Sequence, residues 1–402
     1  TRLAHGGAPC KPRHAARSAR DVVKPIGFAL SVVKSLKQYA SPWWLPGGHL
    51  QTIWPVLYSR RYAQAPAVWR RERWTTPDQD FVDVDFCESA GGAAAKPLLV
   101  LFHGLEGSSG SHYAQAFADW GRQNACDIAV PHFRGCSGTL NLAPRAYHSG
   151  DHEEVHHLLY KLRQMTDAQR RPGLLAAGVS LGGNALMRWA GEQGQAAQNI
   201  VNAVASICSP LDLTASGNAI GKGFNRQVYT RMFLRSMKPK AMAKLKQHPG
   251  LFDPQKLLSA KDLYEFDDVF TAPLHGFKNT DDYWLKASAL PCMFGIAVPA
   301  LALNALNDPF IPASSLPNKQ QVSACVSLWQ PAHGSFLRCS VICSRKVENC
   351  EAAAAKLRGL GVDVMAEGCD VTKPEQVEAI VAYIAEHAMV LEEPDTSISC
   401  WR

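Results

Sequence analysis

The residues best suited to covalent chemistry are the serine and glycines of Gly178-Val179-Ser180-Leu181-Gly182-Gly183. An apolar run precedes this segment, and the helical pattern Asn184-Ala185-Leu186-Met187-Arg188-Trp189 follows it. A strand that turns sharply into a helix needs glycine where side chains would collide, and such a turn lifts a serine hydroxyl clear of the sheet. A hydroxyl at its ordinary pKa is inert, so Ser180 needs a base to take its proton and N–H donors for the oxyanion that its attack creates. His103-Gly104-Leu105-Glu106-Gly107 directly follows another apolar run. Its Leu105 N–H, with the Leu181 N–H beside the nucleophile, is expected to form that oxyanion hole, and His103 is expected to shape the loop rather than act as base. Asp308, in Asn307-Asp308-Pro309, follows a late apolar run and is the expected orienting carboxylate; a capped Asp-Pro turn is the plain structural alternative. His333 is the first histidine after the next such run, which completes the chain order Ser, Asp, His and makes it the expected base.

A second constellation competes. His152-Glu153-Glu154-Val155-His156 satisfies the HExxH spacing of zinc peptidases, which places two imidazoles on one helical face with a carboxylate for general-base work. No HxxGxxH extension supplies a third ligand, and the next glutamate, Glu192, lies beyond the nucleophile strand. A solvated, histidine-rich helix face is the preferred reading, and no metal or other cofactor is expected.

The elements that must position these groups show in the apolar periodicity. Alternation over Val68 to Trp74 and Phe81 to Phe86 suggests half-exposed antiparallel strands. From Leu98 the rhythm changes to short apolar runs at 98–102, 127–130, 173–178, 201–207, 298–303 and 323–329, with helical patterns such as Tyr113 to Arg122 and Glu153 to Met165 between the earlier ones. Runs of this kind are strands buried on both faces, so the expected architecture is a mostly parallel, doubly wound α/β sheet. Between about 211 and 291 the strand rhythm stops; helical, aromatic and methionine-rich sequence there suggests a cap inserted over the carboxyl ends of the strands.

At 402 residues, with 47% hydrophobic and 19% charged positions, the chain can bury a large core. Its formal net charge of +7 comes largely from the first forty residues and from the stretch around Arg226 to Lys246, and no nucleic-acid-binding module is present. Twelve cysteines without a CxxC pair argue against a disulfide framework and for a reducing, cytoplasmic setting. No apolar run is long enough to span a bilayer, although the stretch 26–33 between lysines is compatible with a weak membrane-surface contact.

Ser41-Pro42-Trp43-Trp44-Leu45-Pro46-Gly47-Gly48-His49-Leu50-Gln51-Thr52, His103-Gly104-Leu105-Glu106-Gly107, Arg134-Gly135-Cys136-Ser137-Gly138, Tyr147-His148-Ser149-Gly150 and the Ser180 segment together resemble the YheT-type α/β-hydrolases from about residue 41 to 333. The resemblance implies an α/β-hydrolase domain over 41–336, with the cap inserted at about 211–291 and a basic extension at 1–40 before it. It also implies a carboxylesterase or lipid acyl hydrolase whose Ser-Asp-His triad maps here to Ser180 and Asp308. The family ends its last strand in His-Gly-Gly-His, of which the second histidine is catalytic, whereas this chain reads His333-Gly334-Ser335-Phe336. Either His333 substitutes as base or the triad is incomplete, leaving a fold that turns over poorly.

From about 338 to 388 the pattern changes again. Strand-like and helical segments carrying Ser344-Arg345 and Asp370-Val371 resemble part of a short-chain dehydrogenase/reductase, but no glycine-rich turn precedes them. Residues 337–402 are thus expected to be a βαβα fragment foreign to the hydrolase family, with NADP binding only a remote alternative. The expected function is a serine carboxylic-ester hydrolase acting on small-molecule esters of short- to medium-chain acyl groups.

Overall fold

The computed structural model describes residues 45–58, 66–92 and 96–334. The basic N-terminal segment, Phe336 and the dehydrogenase-like segment lie outside the described residues.

One eight-stranded sheet organises this region. Its strands are β1 (Arg70–Thr75), β2 (Phe81–Cys87), β3 (Leu98–Phe102), β4 (Asp127–Pro131), β5 (Leu174–Val179), β6 (Ala203–Ile207), β7 (Ala300–Leu303) and β8 (Val326–Trp329), in the spatial order β1-β2-β4-β3-β5-β6-β7-β8. β1 and β2 join antiparallel, and every pair from β4 to β8 is parallel. Alternate residues of each apolar strand serve opposite faces: Leu98, Val100 and Phe102 enter one core, Leu99 and Leu101 the other. The first core is closed by α3 (His152–Ala168) and α4 (Leu181–Gln193), the second by α2 (His112–Gln123). Two-sided burial explains why these strands are continuously apolar, each large side chain contributing roughly 1.5–3 kcal/mol on leaving water.

The strands keep the order and type expected from sequence, with three differences. β2 is buried along its whole length, not half-exposed. Its acidic positions are compensated: Arg73 pairs with Asp83 at 2.8 Å and Arg71 with Asp85 at 2.6 Å; desolvation acts to raise both carboxylates, but the guanidinium hydrogen bonds outweigh it and hold both below the usual range, Asp85 furthest. β7 begins at Ala300 rather than Val298, since Pro299 has no N–H to give the ladder. β6 and β8 start at Ala203 and Val326, later than the apolar runs that announce them.

The direction of winding reverses at β3. The chain moves outward from β3 to β4, then crosses back to place β5 on the other side of β3. At such a switch point the loops leaving the two central strands diverge and open a crevice at the carboxyl edge. Leu105 follows β3 and Ser180 follows β5, so topology alone brings both to this crevice. Helices fill the chain between β6 and β7, among them α5 (Leu213–Ile220), α6 (Arg231–Gln247) and α7 (Thr280–Ala287). Asn184 on α4 fastens them down, donating to the Ala287 carbonyl at 2.9 Å and accepting from the Ala289 N–H at 2.9 Å, and it also donates to the carbonyl of Ser149, before α3, at 2.8 Å. No helix among the described residues is long and apolar enough to cross a membrane.

Candidate active site

Ser180 sits between β5 and α4 with φ 54° and ψ −120°, a backbone conformation that side-chain-bearing residues rarely adopt. Its surroundings over-determine the strain: its N–H donates to the Ile207 carbonyl at 2.9 Å, and its carbonyl accepts from the N–H groups of Gly183 and Asn184 at 3.0 and 3.1 Å. The turn is also tight against the β3 loop. A Cβ on Gly182 would lie 2.4 Å from the Phe102 carbonyl oxygen and 2.5 Å from that of His103, so only glycine lets the two loops approach.

In the β3 loop, the N–H groups around Leu105 are already engaged. Gly104 N–H donates to the Tyr113 hydroxyl at 2.9 Å, Glu106 N–H to the Tyr147 hydroxyl at 3.1 Å, and Gly107 N–H to the Gly104 carbonyl at 2.9 Å. Leu181 is the first residue of α4, where a backbone N–H has no partner within its own helix. His103 is fully buried and locked in one tautomer. Its Nδ1–H donates to the Gly104 carbonyl at 2.8 Å, its Nε2 accepts from the Phe133 N–H at 3.0 Å, and burial pulls its pKa down to about 3. With both ring nitrogens committed, His103 is a fixture of the loop.

Ser180, Leu181 and Leu105 share one cavity, of about 1320 Å³ including its mouth open to solvent. The helices between β6 and β7 supply much of its apolar wall through Leu213, Phe233, Met237, Phe266, Phe270 and Trp284. Polar groups interrupt that wall. Lys240 pairs with Glu106 at 2.9 Å, and Glu106 also accepts from the Tyr147 hydroxyl at 2.9 Å. Asp267 opens a π-helical turn, Asp267–Thr271, and accepts from the Thr271 hydroxyl at 2.5 Å and the Trp284 indole N–H at 2.9 Å. Desolvation pushes its carboxyl pKa up to about 6.

Asp308 is buried behind this cavity, whose wall includes its neighbours Phe310 and Ile311. Its Oδ1 accepts from the Phe310 N–H at 2.9 Å. It lies close enough to Tyr229 that burial, joined by the Asp308 charge, pushes the phenol up to about 12. The loops after β7 and β8 run side by side: Asn304 N–H donates to the Trp329 carbonyl at 3.0 Å and Leu306 N–H to that of Pro331 at 2.9 Å. His333 is therefore on the loop next to that of Asp308, but its side chain is exposed and is not part of the cavity wall. The structure thus gathers Ser180, Leu181 and Leu105 on one cavity, sets Asp308 behind it, and leaves His333 outside.

One residue of this arrangement has no role in the sequence analysis. Gln51, on α1 (Gly47–Tyr58), is fully buried; its Oε1 accepts from the Gly334 N–H at 2.9 Å and from the Asn307 amide at 3.3 Å, while its Nε2 donates to the Leu45 carbonyl at 2.8 Å. It bridges the loop bearing Asp308 and the loop bearing His333. Gly48 allows the approach, since a Cβ there would fall 2.0 Å from the Asn307 carbonyl oxygen. The Gly47-Gly48-His49-Leu50-Gln51 segment was the available signal, but nothing in its spacing says what it touches.

The HExxH segment opens α3, where Trp189 donates its indole N–H to His156 Nδ1 at 3.2 Å. Glu154 is buried against Arg134 at 2.5 Å. Among the described residues, no group of three or more histidine, cysteine, aspartate or glutamate side chains could hold a metal ion.

A parallel sheet entered through an antiparallel hairpin, with a strained serine turn after β5, its neighbouring N–H donors at the switch point and a helical cap, defines an α/β-hydrolase. No family model matches the chain. The Escherichia coli (strain K12) protein named "Putative esterase YheT" is 36% identical over 291 residues, covering 72% of this chain and 83% of that protein. The chain belongs to the YheT family of α/β-hydrolases. It is also similar to phospholipase ABHD3 of Homo sapiens, at 24% identity over 69% of this chain and 67% of that one. Medium-chain fatty acid ethyl ester synthase/esterase 2 of Saccharomyces cerevisiae is 30% identical over 54% of this chain and 52% of that one. Among solved structures, the esterase of Pyrobaculum calidifontis aligns with a TM-score of 0.48 at 15% identity, covering 86% of this chain and 95% of that one.

Proposed function

We propose that the protein is a serine carboxylic-ester hydrolase acting on esters of short- to medium-chain acyl groups. The observation that carries this reading is the backbone of Ser180, held at φ 54° where the hydroxyl opens into an apolar cavity beside Leu105 and Leu181. In this reading Ser180 Oγ attacks the ester carbonyl, and the N–H groups of Leu105 and Leu181 hold the oxyanion. A base takes the Ser180 proton as Oγ attacks and gives it to the departing alcohol, the acyl group stays on Ser180, and water then hydrolyses it with the same base. Asp308 orients that base, and His333, exposed on the neighbouring loop, takes the part of the base by swinging in towards Ser180. The apolar cap residues receive the acyl chain, in keeping with relatives named as an esterase and as a medium-chain ethyl ester synthase/esterase.

The exposure of His333 favours a second reading, a pseudohydrolase that keeps the fold and the serine turn but activates the hydroxyl poorly. Labelling by a fluorophosphonate separates the two. Labelling of the native chain that is lost in Ser180→Ala and reduced at least a hundredfold in His333→Ala supports the hydrolase with His333 as base. Labelling that survives His333→Ala assigns the base elsewhere, and no labelling at any pH between 6 and 9 favours the pseudohydrolase.

A further inference from the structure

The chain from Leu213 to Phe252 contains no aspartate or glutamate but eight lysines and arginines, a charge that exceeds the net +7 of the entire protein. This stretch includes a π-helical turn, Arg226–Thr230, that runs directly into α6. Its buried side, with Asn225, Tyr229, Leu234 and Ala241, packs inward, and Phe233, Met237 and Lys240 face the Ser180 cavity. The opposite side is in solvent: positions 224, 227, 228, 231, 232 and 235 are all exposed. That side mixes two chemistries. Phe224 is 51% exposed and Met232 55% exposed, with Val228 between them at helical spacing. Beside them Arg226, Arg231, Arg235 and Lys238, together with Lys261 from the neighbouring segment, line a groove that has no carboxylate in its wall.

Cations are ordinarily interleaved with acids on a solvated helix, which limits their mutual repulsion. A face that keeps five cations together and sets large apolar side chains at the same level is organised for a partner that is both anionic and apolar. A bilayer surface with acidic headgroups has that combination: the cations meet phosphates, and the aromatic, valine and methionine side chains enter the headgroup and acyl boundary. A nucleic acid would use the charge but leave Val228 and Met232 without purpose.

We infer that the outer face of this cap segment is a docking surface for an anionic lipid bilayer. Docking through it places the Ser180 cavity, on the other side of the same helix, next to the membrane. The inference does not depend on turnover, because binding is read directly.

The test is co-sedimentation of the full chain with vesicles of phosphatidylglycerol and phosphatidylcholine in equal parts, against vesicles of phosphatidylcholine alone. Binding to the acidic vesicles only, declining steeply between 0.05 and 0.5 M salt (about a threefold shorter screening length), is the expected result. Arg231→Gln with Arg235→Gln should weaken it roughly twentyfold. Val228→Ser with Met232→Ser should weaken it by a similar factor at unchanged charge, and circular dichroism should show both pairs folded. No binding to acidic vesicles overturns the proposal. So does binding that neither pair of substitutions weakens, which would assign it to another basic segment such as residues 1–40, and so does loss in the arginine pair alone, which marks a purely electrostatic site of the kind a nucleic acid uses.

Discussion

Replacing Ser180 by glycine should make the protein more stable while silencing it, and replacing it by alanine should silence it without that gain. The reason is in the backbone. At φ 54° and ψ −120° a residue with a Cβ is strained by about 1–3 kcal/mol, and alanine keeps the Cβ while losing only the hydroxyl. Glycine removes the strain but is freer in the unfolded chain, which takes back about 0.5–1 kcal/mol. The difference between the two variants should therefore be about 1 kcal/mol in favour of glycine, with a ceiling near 2.5 kcal/mol. Equilibrium urea denaturation of both proteins measures it, and in thermal melts the same difference is about 2 °C. Both variants lack the Ser180 hydroxyl, so activity cannot confound the comparison. A glycine variant equal to or less stable than the alanine variant would show that Ser180 is not strained, and with it would go the structural argument for a nucleophile turn.

Removing Gln51 should disturb the loops of Asp308 and His333 together: Gln51→Ala strands the buried Gly334 N–H and the half-buried Asn307 amide and should cost about 2–4 kcal/mol in urea denaturation. It should also slow fluorophosphonate labelling of Ser180 more than Gln51→Glu does, since the glutamate keeps an acceptor for Gly334; equal effects would rule out a positioning role. Arg134 is buried against Asp80 and Glu154 and also pairs with Asp78, so Arg134→Met takes the cation away from two buried carboxylates, of which Asp80 keeps its N–H donors, and should destabilise by about 3–5 kcal/mol; a change under 1 kcal/mol would refute that accounting. Asp267 titrates near 6 when folded and near the ordinary 3.8 when unfolded, so the folded state holds its proton more tightly. The stability it gives is complete below pH 3.8 and is lost as pH rises through about 6. Asp267→Asn should gain on the native protein by up to roughly 3 kcal/mol between pH 4 and 7, and parallel stability curves for the two proteins would contradict the assignment.

The sheet was legible because two-sided burial writes itself into composition. Leu98 to Phe102 admits no polar residue, and the structure shows why, with alternate side chains entering separate cores. Ser180 was legible for a different reason: a strained turn excludes side chains around it, and that exclusion leaves glycines at readable spacing. Asp83 and Asp85 misled the reading, since alternating acids suggest a solvated face, and only the tertiary structure reveals Arg71 and Arg73 covering them. Gln51 was invisible in principle, because a buried amide differs from a surface one only in what the fold brings to it. The same holds for Asp267, whose raised pKa depends on a cap helix folding over it.

The bridge through Gln51 bears on when the site can be assembled. Its partners lie 256 and 283 residues further along the chain, so contacts of very long sequence separation must close before the loops of Asp308 and His333 are fixed relative to one another. During synthesis, β3 to β6 and the serine turn are complete once residue 207 has emerged, but Gly334 reaches Gln51 only much later. The chain thus carries its strained serine early and completes the surroundings of Asp308 last. A nascent or truncated form ending before residue 334 would lack the Gly334 half of the clasp between the loops of Asp308 and His333.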